Sequence, residues 1–91
     1  MDPQQRIIQF EGQVQGVGFR YTAVRLAQQF DVTGYVCNLP DGRVECLVEG
    51  DAAEIDRFVE QLSQRMRPYI GRQTQQVCPA SGTFRDFGVK Y

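Results

Sequence analysis

The spacing of apolar residues changes twice in the first third of the chain. Over residues 6–14 apolar and polar side chains alternate, as they do in a strand with one buried face. Two glycines in residues 15–18 interrupt this alternation. Apolar side chains then recur at helical spacing from about residue 20 to residue 29. The pattern predicts a strand, a glycine-containing loop and an amphipathic helix, in that order.

The sequence in the middle of the chain predicts two strands joined by a tight turn. Residues 33–38 and 43–49 are rich in β-formers, and Leu39-Pro40-Asp41-Gly42 lies between them. Proline fixes φ and glycine tolerates positive φ, so this tetrapeptide is typical of a turn. We therefore predict a strand, a turn and a further strand.

A second helix and two further strands complete the predicted elements. The helix opens at Asp51, which we expect to cap it while Glu54 returns the bond as a variant of the capping box. Pro68 ends it. Residues 70–77 alternate poorly and are rich in glutamine, which predicts a weak edge strand, and apolar residues within 84–89 indicate a short closing strand.

The predicted order β-α-β-β-α-β limits the choice of fold. For 91 residues it indicates a single α+β domain, residues 1–91, with the ferredoxin-like fold, in which two helices cover one face of an antiparallel sheet. A right-handed crossover makes the first two strands parallel, and the third strand lies between them.

Composition narrows the range of functions. A formal net charge of −1 provides no overall attraction to nucleic acid or anionic membranes, and no apolar run approaches the roughly 20 residues of a membrane helix. The start of the chain lacks the apolar run of a secretory signal. With no histidine, Ser-His and Cys-His nucleophile pairs are excluded, and Cys37, Cys46 and Cys78 lack metal-ligand spacing. We expect a cytoplasmic protein with reduced thiols and with no metal, membrane or nucleic-acid partner.

The glycine-containing loop is the first candidate site. Glycines between a strand and a helix leave backbone N–H groups free to form an anion-binding nest at the helix N-terminus. Arg20, in the first helical turn, can add a two-pronged contact to phosphate oxygens. The same residues also fit a plain turn followed by a solvent-facing arginine, so both interpretations stay open at this point.

Asn38 is the second candidate. It ends the second predicted strand, which the topology brings to the same sheet edge as Arg20, two strand spacings or roughly 10 Å away. The two side chains can therefore bracket one small ligand. The alternative is that Asn38 caps its own backbone at the start of the turn.

Two long motifs resemble the acylphosphatase family. The first is Gly12-Gln13-Val14-Gln15-Gly16-Val17-Gly18-Phe19-Arg20, and the second is Gly34-Tyr35-Val36-Cys37-Asn38-Leu39-Pro40-Asp41-Gly42-Arg43-Val44, closing with Gly50. They occur in the order and at the spacing of the family, and Phe87-Gly88-Val89-Lys90-Tyr91 extends the resemblance over nearly the whole chain.

The resemblance implies the ferredoxin-like fold and hydrolysis of the carboxyl–phosphate bond of small-molecule acyl phosphates. It implies that Arg20 binds the phosphoryl group together with the main-chain amides of Gln15, Gly16, Val17, Gly18, Phe19 and Arg20. It further implies that Asn38 orients the attacking water and that no metal or organic cofactor is used. Separately, we expect the protein to be a monomer.

One position and one segment depart from the family pattern. Cys37 stands where many members carry arginine or lysine, so we expect a lower local positive potential and slower substrate capture. Residues 70–77 are also more polar than the usual fourth strand, which bears on the stability of the edge.

Two other functions are compatible with this fold. An RNA-binding sheet needs exposed aromatics and a basic face, whereas the outward positions of the predicted strands include Glu11, Glu45 and Glu49. A non-catalytic or carbamoyl-phosphate-handling domain is the stronger alternative, because family-like domains occur in larger maturation proteins. Comparing turnover of carbamoyl phosphate and acetyl phosphate separates these functions.

Overall fold

The computed structural model describes residues 2–91. Its elements are β1 (Gln4–Gly12), α1 (Phe19–Ala27), β2 (Val32–Asn38), β3 (Val44–Gly50), α2 (Ala52–Arg65), β4 (Ile70–Pro79) and β5 (Phe87–Val89). A short 3₁₀ helix, Arg67–Tyr69, joins α2 to β4. This order confirms the predicted ferredoxin-like arrangement. No helix within the described residues has the length and apolar character needed to cross a bilayer.

The five strands form one sheet in the order β4-β1-β3-β2-β5. All neighbouring pairs are antiparallel except β2 and β5, which are parallel. As predicted, β3 lies between β1 and β2. Val44 of β3 pairs with Phe10 on one side and with Asn38 on the other. The carboxyl ends of β1 and β2 are therefore level with each other at one edge of the sheet.

The core forms where the two helices cover the sheet. Ile8, Phe10 and Val36 are fully buried on the covered face. The rings of Phe10 and Phe19 lie 4.8 Å apart, so the end of β1 packs directly against the start of α1. Burial of such a side chain contributes about 1.5–3 kcal/mol, which anchors both ends of the intervening loop.

The first strand ends earlier than its hydrophobic pattern predicts. Alternation suggested residues 6–14, but β1 ends at Gly12, where φ is +128° and the pairing with β4 shifts register. A Cβ at this position would lie 2.5 Å from the carbonyl oxygen of Tyr69, so the close approach requires glycine. Val14 is fully buried although it lies beyond the strand, which explains why the alternation appeared longer.

The first helix ends two residues before its predicted limit. The amides of Gln29 and Phe30 donate to the carbonyl oxygens of Leu26 and Ala27, at 3.0 and 3.1 Å. These i→i−3 bonds replace the α-helical pattern with a tighter turn. The chain thus leaves α1 at Ala27 and enters β2 after a short connection.

The predicted capping box at α2 is wrong. Asp51 occupies the N-cap position, but its side chain makes no capping hydrogen bond. The Glu54 carboxylate instead accepts the backbone N–H of Asp31 at 2.8 Å and pairs with Arg57. The Glu54 side chain, which would have completed the capping box, therefore makes a tertiary contact with the loop before β2 instead.

The fourth strand lies at the sheet edge, as predicted, but it is longer than expected. β4 runs for ten residues along β1, and every residue after Ile70 is exposed. Side chains on both faces of this segment are exposed, which agrees with their polar composition. Backbone pairing with β1, rather than side-chain burial, holds this strand.

One buried carboxylate anchors the segment between β4 and β5. Glu49 is only 4% exposed and accepts hydrogen bonds from Gln5 Nε2 (2.6 Å), Ser81 Oγ (2.8 Å), and the amides of Ser81 (2.9 Å) and Gly82 (3.1 Å). Burial alone would raise the pKa of Glu49, but these hydrogen bonds outweigh burial and lower it.

We expect Glu49→Gln to reduce the free energy of unfolding at pH 7 by about 1–3 kcal/mol, because buried donors lose a charged acceptor. The folded-state pKa is below its ordinary value of 4.5, so this contribution is present above pH 4.5 and is lost as pH falls through the folded-state pKa. Urea unfolding at pH 7 and pH 3 measures both effects. The variant should show a smaller loss of stability on acidification than wild type.

Glu60→Gln, which removes one exposed carboxylate from α2, is the matched control. If Glu49→Gln and Glu60→Gln gave the same acid profile, the assigned role of Glu49 would be wrong.

Candidate anion-binding site

The loop between β1 and α1 presents a set of unbonded backbone amides. Gly16 and Gly18 have left-handed φ values of +77° and +80°, and Gly18 is the N-cap of α1 with no side-chain cap. Within the described chain, no backbone N–H of residues 15–20 donates a hydrogen bond to a protein acceptor. Successive free amides at a helix N-terminus form a concave site for an anion.

Arg20 completes this arrangement from the first turn of α1. Its guanidinium makes no hydrogen bond or ion pair to any residue in the range 2–91, and its Cζ lies 5.6 Å from the centre of the Tyr91 ring. This is a cation–π contact with an exposed tyrosine, and it leaves the N–H donors of the guanidinium available. A planar fork of this kind matches two oxygens of a phosphate or carboxylate.

The structure brings Arg20 and Asn38 to one open cleft of about 360 Å³. The loop contributes Gly16 and Gly18, and the remaining lining side chains are apolar or aromatic, namely Val14, Phe19, Tyr21, Val24, Val89 and Tyr91. Gln15 and Val17 lie outside this lining, because Val17 packs on the core and Gln15 contacts a neighbouring turn.

Asn38 does not cap its own turn. The turn is closed by backbone bonds from Leu39 N to Arg43 O (2.8 Å) and from Gly42 N to Leu39 O (3.1 Å), and Asp41 Oδ1 accepts the Arg43 amide. No hydrogen bond to the Asn38 side chain occurs among the described residues. Asp41 therefore fills the structural role considered for Asn38, whose carboxamide is free at the cleft.

Sequence reasoning did not identify two parts of the site. One is the aromatic and apolar wall formed by Tyr21, Val24, Val89 and Tyr91. Of these, Val24 lies one helical turn beyond Arg20, and this spacing is the sequence signal that was available. The other part is the Gln15 side chain, which donates to Leu39 O and Arg43 O, and its partners cannot be inferred from local spacing.

The thiol nearest the cleft is not activated. Cys37 is 8% exposed. Burial and the Glu45 carboxylate raise its pKa, and Lys90 and Arg20 offset this only in part. Complete burial likewise raises the pKa of the Cys46 thiol. Residues 2–91 contain no cluster of histidine, cysteine, aspartate or glutamate that could hold a metal ion.

Comparison with known proteins identifies the family. The acylphosphatase family model matches residues 6–89. The chain belongs to the acylphosphatase family. This confirms the resemblance carried by the two motifs, and with it the prediction of an enzyme of this family.

Relatives match the chain to different extents. The acylphosphatase of Methylococcus capsulatus is 41% identical over 81 residues, covering 86% of each protein, and that of Lactobacillus johnsonii is 34% identical over 82 residues, covering 88% of this chain and 90% of the relative. The Bordetella parapertussis acylphosphatase is 54% identical over 52 residues, and that match spans just over half (55%) of the relative's length.

Solved structures agree with the fold. Bacillus subtilis acylphosphatase superposes with a TM-score of 0.85 at 32% identity, covering 98% of this chain and 99% of that one. T. kodakarensis HypF gives a TM-score of 0.82 at 36% identity, covering 97% of this chain but only 12% of HypF. The same fold thus occurs both as a small acylphosphatase and as part of a much longer chain.

We expect Gly18→Ala to weaken binding of inorganic phosphate about tenfold. A Cβ there meets no atom within 4 Å, so the substitution causes no steric clash. A non-glycine residue in the left-handed region is instead strained by about 1–2 kcal/mol, and this strain opposes the loop conformation that presents the amides to phosphate. Titration calorimetry with inorganic phosphate measures the change. Gly82→Ala is the control, since Gly82 has φ +73° and equally open surroundings away from the cleft. Equal phosphate affinity in the Gly18 and Gly82 variants would contradict the role of the loop.

Thiol labelling should distinguish the three cysteines. At pH 8 in the native state, we expect a small alkylating reagent to modify exposed Cys78 rapidly, while Cys37 and Cys46 react only after unfolding. Burial limits reagent access and raises the pKa of both protected thiols. Mass spectrometry of wild type and of Cys78→Ser gives the number of modified thiols in each protein. Rapid labelling of the Cys78→Ser variant would show that a buried thiol is accessible.

Proposed function

We propose that the protein hydrolyses the carboxyl–phosphate bond of acyl phosphates to a carboxylate and inorganic phosphate. Membership of the acylphosphatase family supports this reaction. The observation that carries the proposal is the cleft itself, where the unpaired Arg20 guanidinium, the unbonded amides of the loop and the free Asn38 carboxamide lie together.

The loop amides and Arg20 hold the phosphoryl group. In phosphoryl transfer, negative charge is spread over the non-bridging oxygens, and catalysis consists mainly of positioning and charge stabilisation. The backbone amides of residues 15–20 and the Arg20 guanidinium are not engaged with protein acceptors, so they bind these oxygens without first breaking hydrogen bonds within the protein. The carboxylate is a good leaving group and departs without a strong acid.

Asn38 orients the attacking water. Its amide donates and accepts hydrogen bonds but cannot deprotonate water at neutral pH. No aspartate, glutamate, histidine or cysteine lines the cleft within residues 2–91, so no protein base of these types lies beside the water. The water oxygen bonds to phosphorus as the bond to the acyl oxygen breaks, and a phosphate oxygen takes the proton of the water.

Carbamoyl phosphate is a second candidate substrate. It presents the same carboxyl–phosphate bond as acetyl phosphate, with a small neutral amino group in place of the methyl group. The motifs resemble a family whose domains also occur in larger maturation proteins that handle carbamoyl phosphate, which favours including this compound in the assay. The ratio of kcat/KM for the two compounds decides which acyl group the cleft prefers.

Arg20→Gln should lower kcat/KM for acetyl phosphate by roughly 100-fold or more, equivalent to ~3 kcal/mol of transition-state stabilisation. Arg20→Lys should restore little, because a point charge does not replace the two-pronged guanidinium. Asn38→Ala should lower kcat by a similar factor with little change in the inhibition constant of inorganic phosphate, because Asn38 contacts water rather than the anion. Release of phosphate measures all three.

Arg65→Gln, an exposed arginine of α2, serves as the charge-matched control and should keep wild-type turnover. Undiminished turnover in the Arg20 or Asn38 variant would refute the role assigned to that residue. The assay is run in excess chelator, where we expect full activity. Loss of wild-type turnover in chelator would refute the metal-independent mechanism.

A further inference from the structure

We infer that the side chain of Gln15 is a positioning residue that holds Asn38 in place relative to the phosphate-binding loop. The inference rests on the proposed function and extends it beyond the residues that touch substrate. The family resemblance assigns only the backbone amide of Gln15, whereas the geometry points to a separate role for its carboxamide.

The Gln15 carboxamide bridges two loops at the edge of the sheet. Its Nε2 donates to the carbonyl oxygens of Leu39 at 2.8 Å and of Arg43 at 3.0 Å. These carbonyls belong to the turn that immediately follows Asn38. Both amide protons are used, one for each carbonyl, so the side chain is a two-point link between the anion loop and the β2–β3 turn.

No other hydrogen bond makes this link. Within the described residues, the two bonds from Gln15 are the only hydrogen bonds between residues 13–18 and residues 38–43. The loop is tied on its other side, where the Gln13 amide donates to Tyr69 O at 2.9 Å. Arg20 and Asn38 do not contact each other through a hydrogen bond. Their relative placement therefore depends on the strands beneath them and on Gln15 between them.

The expected effect is on rate rather than on folding. Gln15 is exposed, and a surface hydrogen bond contributes little net stability. In contrast, a displacement of about 1 Å between the water-orienting group and the phosphoryl group can cost on the order of 100-fold in rate. Loosening the turn should therefore lower kcat while phosphate binding, which depends on the loop amides and Arg20, is retained.

A double-mutant cycle with Asn38 tests this inference. With acetyl phosphate, Gln15→Ala should lower kcat about tenfold while the inhibition constant of inorganic phosphate changes less than about twofold. In the Asn38→Ala background, the same change should lower kcat less than about twofold, because the group that Gln15 positions is already absent. A purely structural role would instead give similar losses in both backgrounds.

Two further variants sharpen the result. Gln15→Glu keeps the size of the side chain but directs oxygens at two carbonyl oxygens, so it should be at least as harmful to kcat as Gln15→Ala. Gln13→Ala is the matched control: Gln13 is an exposed glutamine of the same loop, its side chain makes no hydrogen bond within residues 2–91, and its backbone bond to Tyr69 is kept. It should retain wild-type kcat. Thermal melts confirm that each variant is folded at the assay temperature.

The outcomes separate this inference from the proposed function. Suppose that wild type hydrolyses acetyl phosphate. If Gln15→Ala then leaves kcat unchanged, or lowers it equally in both backgrounds, the role of Gln15 is wrong and the proposed function stands. Wild type that hydrolyses neither acetyl nor carbamoyl phosphate would overturn the function and the inference together.

Discussion

Backbone pairing along both edges of β3 is the constraint on which the rest of the structure depends. Val44 pairs with Phe10 of β1 and with Asn38 of β2, so the ends of two parallel strands are level although they belong to distant parts of the sequence. The loop after β1 and the turn after β2 then meet at one edge. A slip of one residue in either pairing would move Asn38 to the other face of the sheet, away from Arg20.

The packing beneath the cleft allows its polar groups to stay unbonded. Phe10 and Phe19 pack against each other at 4.8 Å, on either side of the glycine loop, and Val14 between them in sequence is fully buried. The loop is held by these apolar contacts together with the Gln13 amide and the Gln15 side chain, so the amides of residues 15–20 are not needed to fix it. Those amides and the Arg20 guanidinium remain available to an anion, and solvent access to the open cleft limits the cost of leaving them unpaired.

Local patterns predicted the elements well and their tertiary partners less well. The alternation of β1, the helical spacing of α1 and the turn at Leu39-Pro40-Asp41-Gly42 all correspond to structure. The errors arise where a distant residue intervenes. β1 stops at Gly12 because Tyr69 approaches it, and the capping box fails because Glu54 bonds to the amide of Asp31. Such contacts carry no local signature, since the sequence neighbours of Gly12 and Glu54 are unaffected by them.

Residue types marked the loop glycines, Arg20 and Asn38 as candidates, because they offer left-handed φ, a bidentate cation and a neutral amide. Only the resemblance of the two motifs to the family favoured a binding role over plain turns. The sequence also determined the order of elements and the family. Tertiary structure alone decided that the Asp41 side chain, and not that of Asn38, accepts a backbone hydrogen bond in the turn. It also decided that Tyr91 lies beside Arg20 and that the Gln15 side chain joins the loop to the β2–β3 turn. The physical reason is that conformational preference is local, whereas the partners of a side chain are set by strand register and packing between residues far apart in the chain.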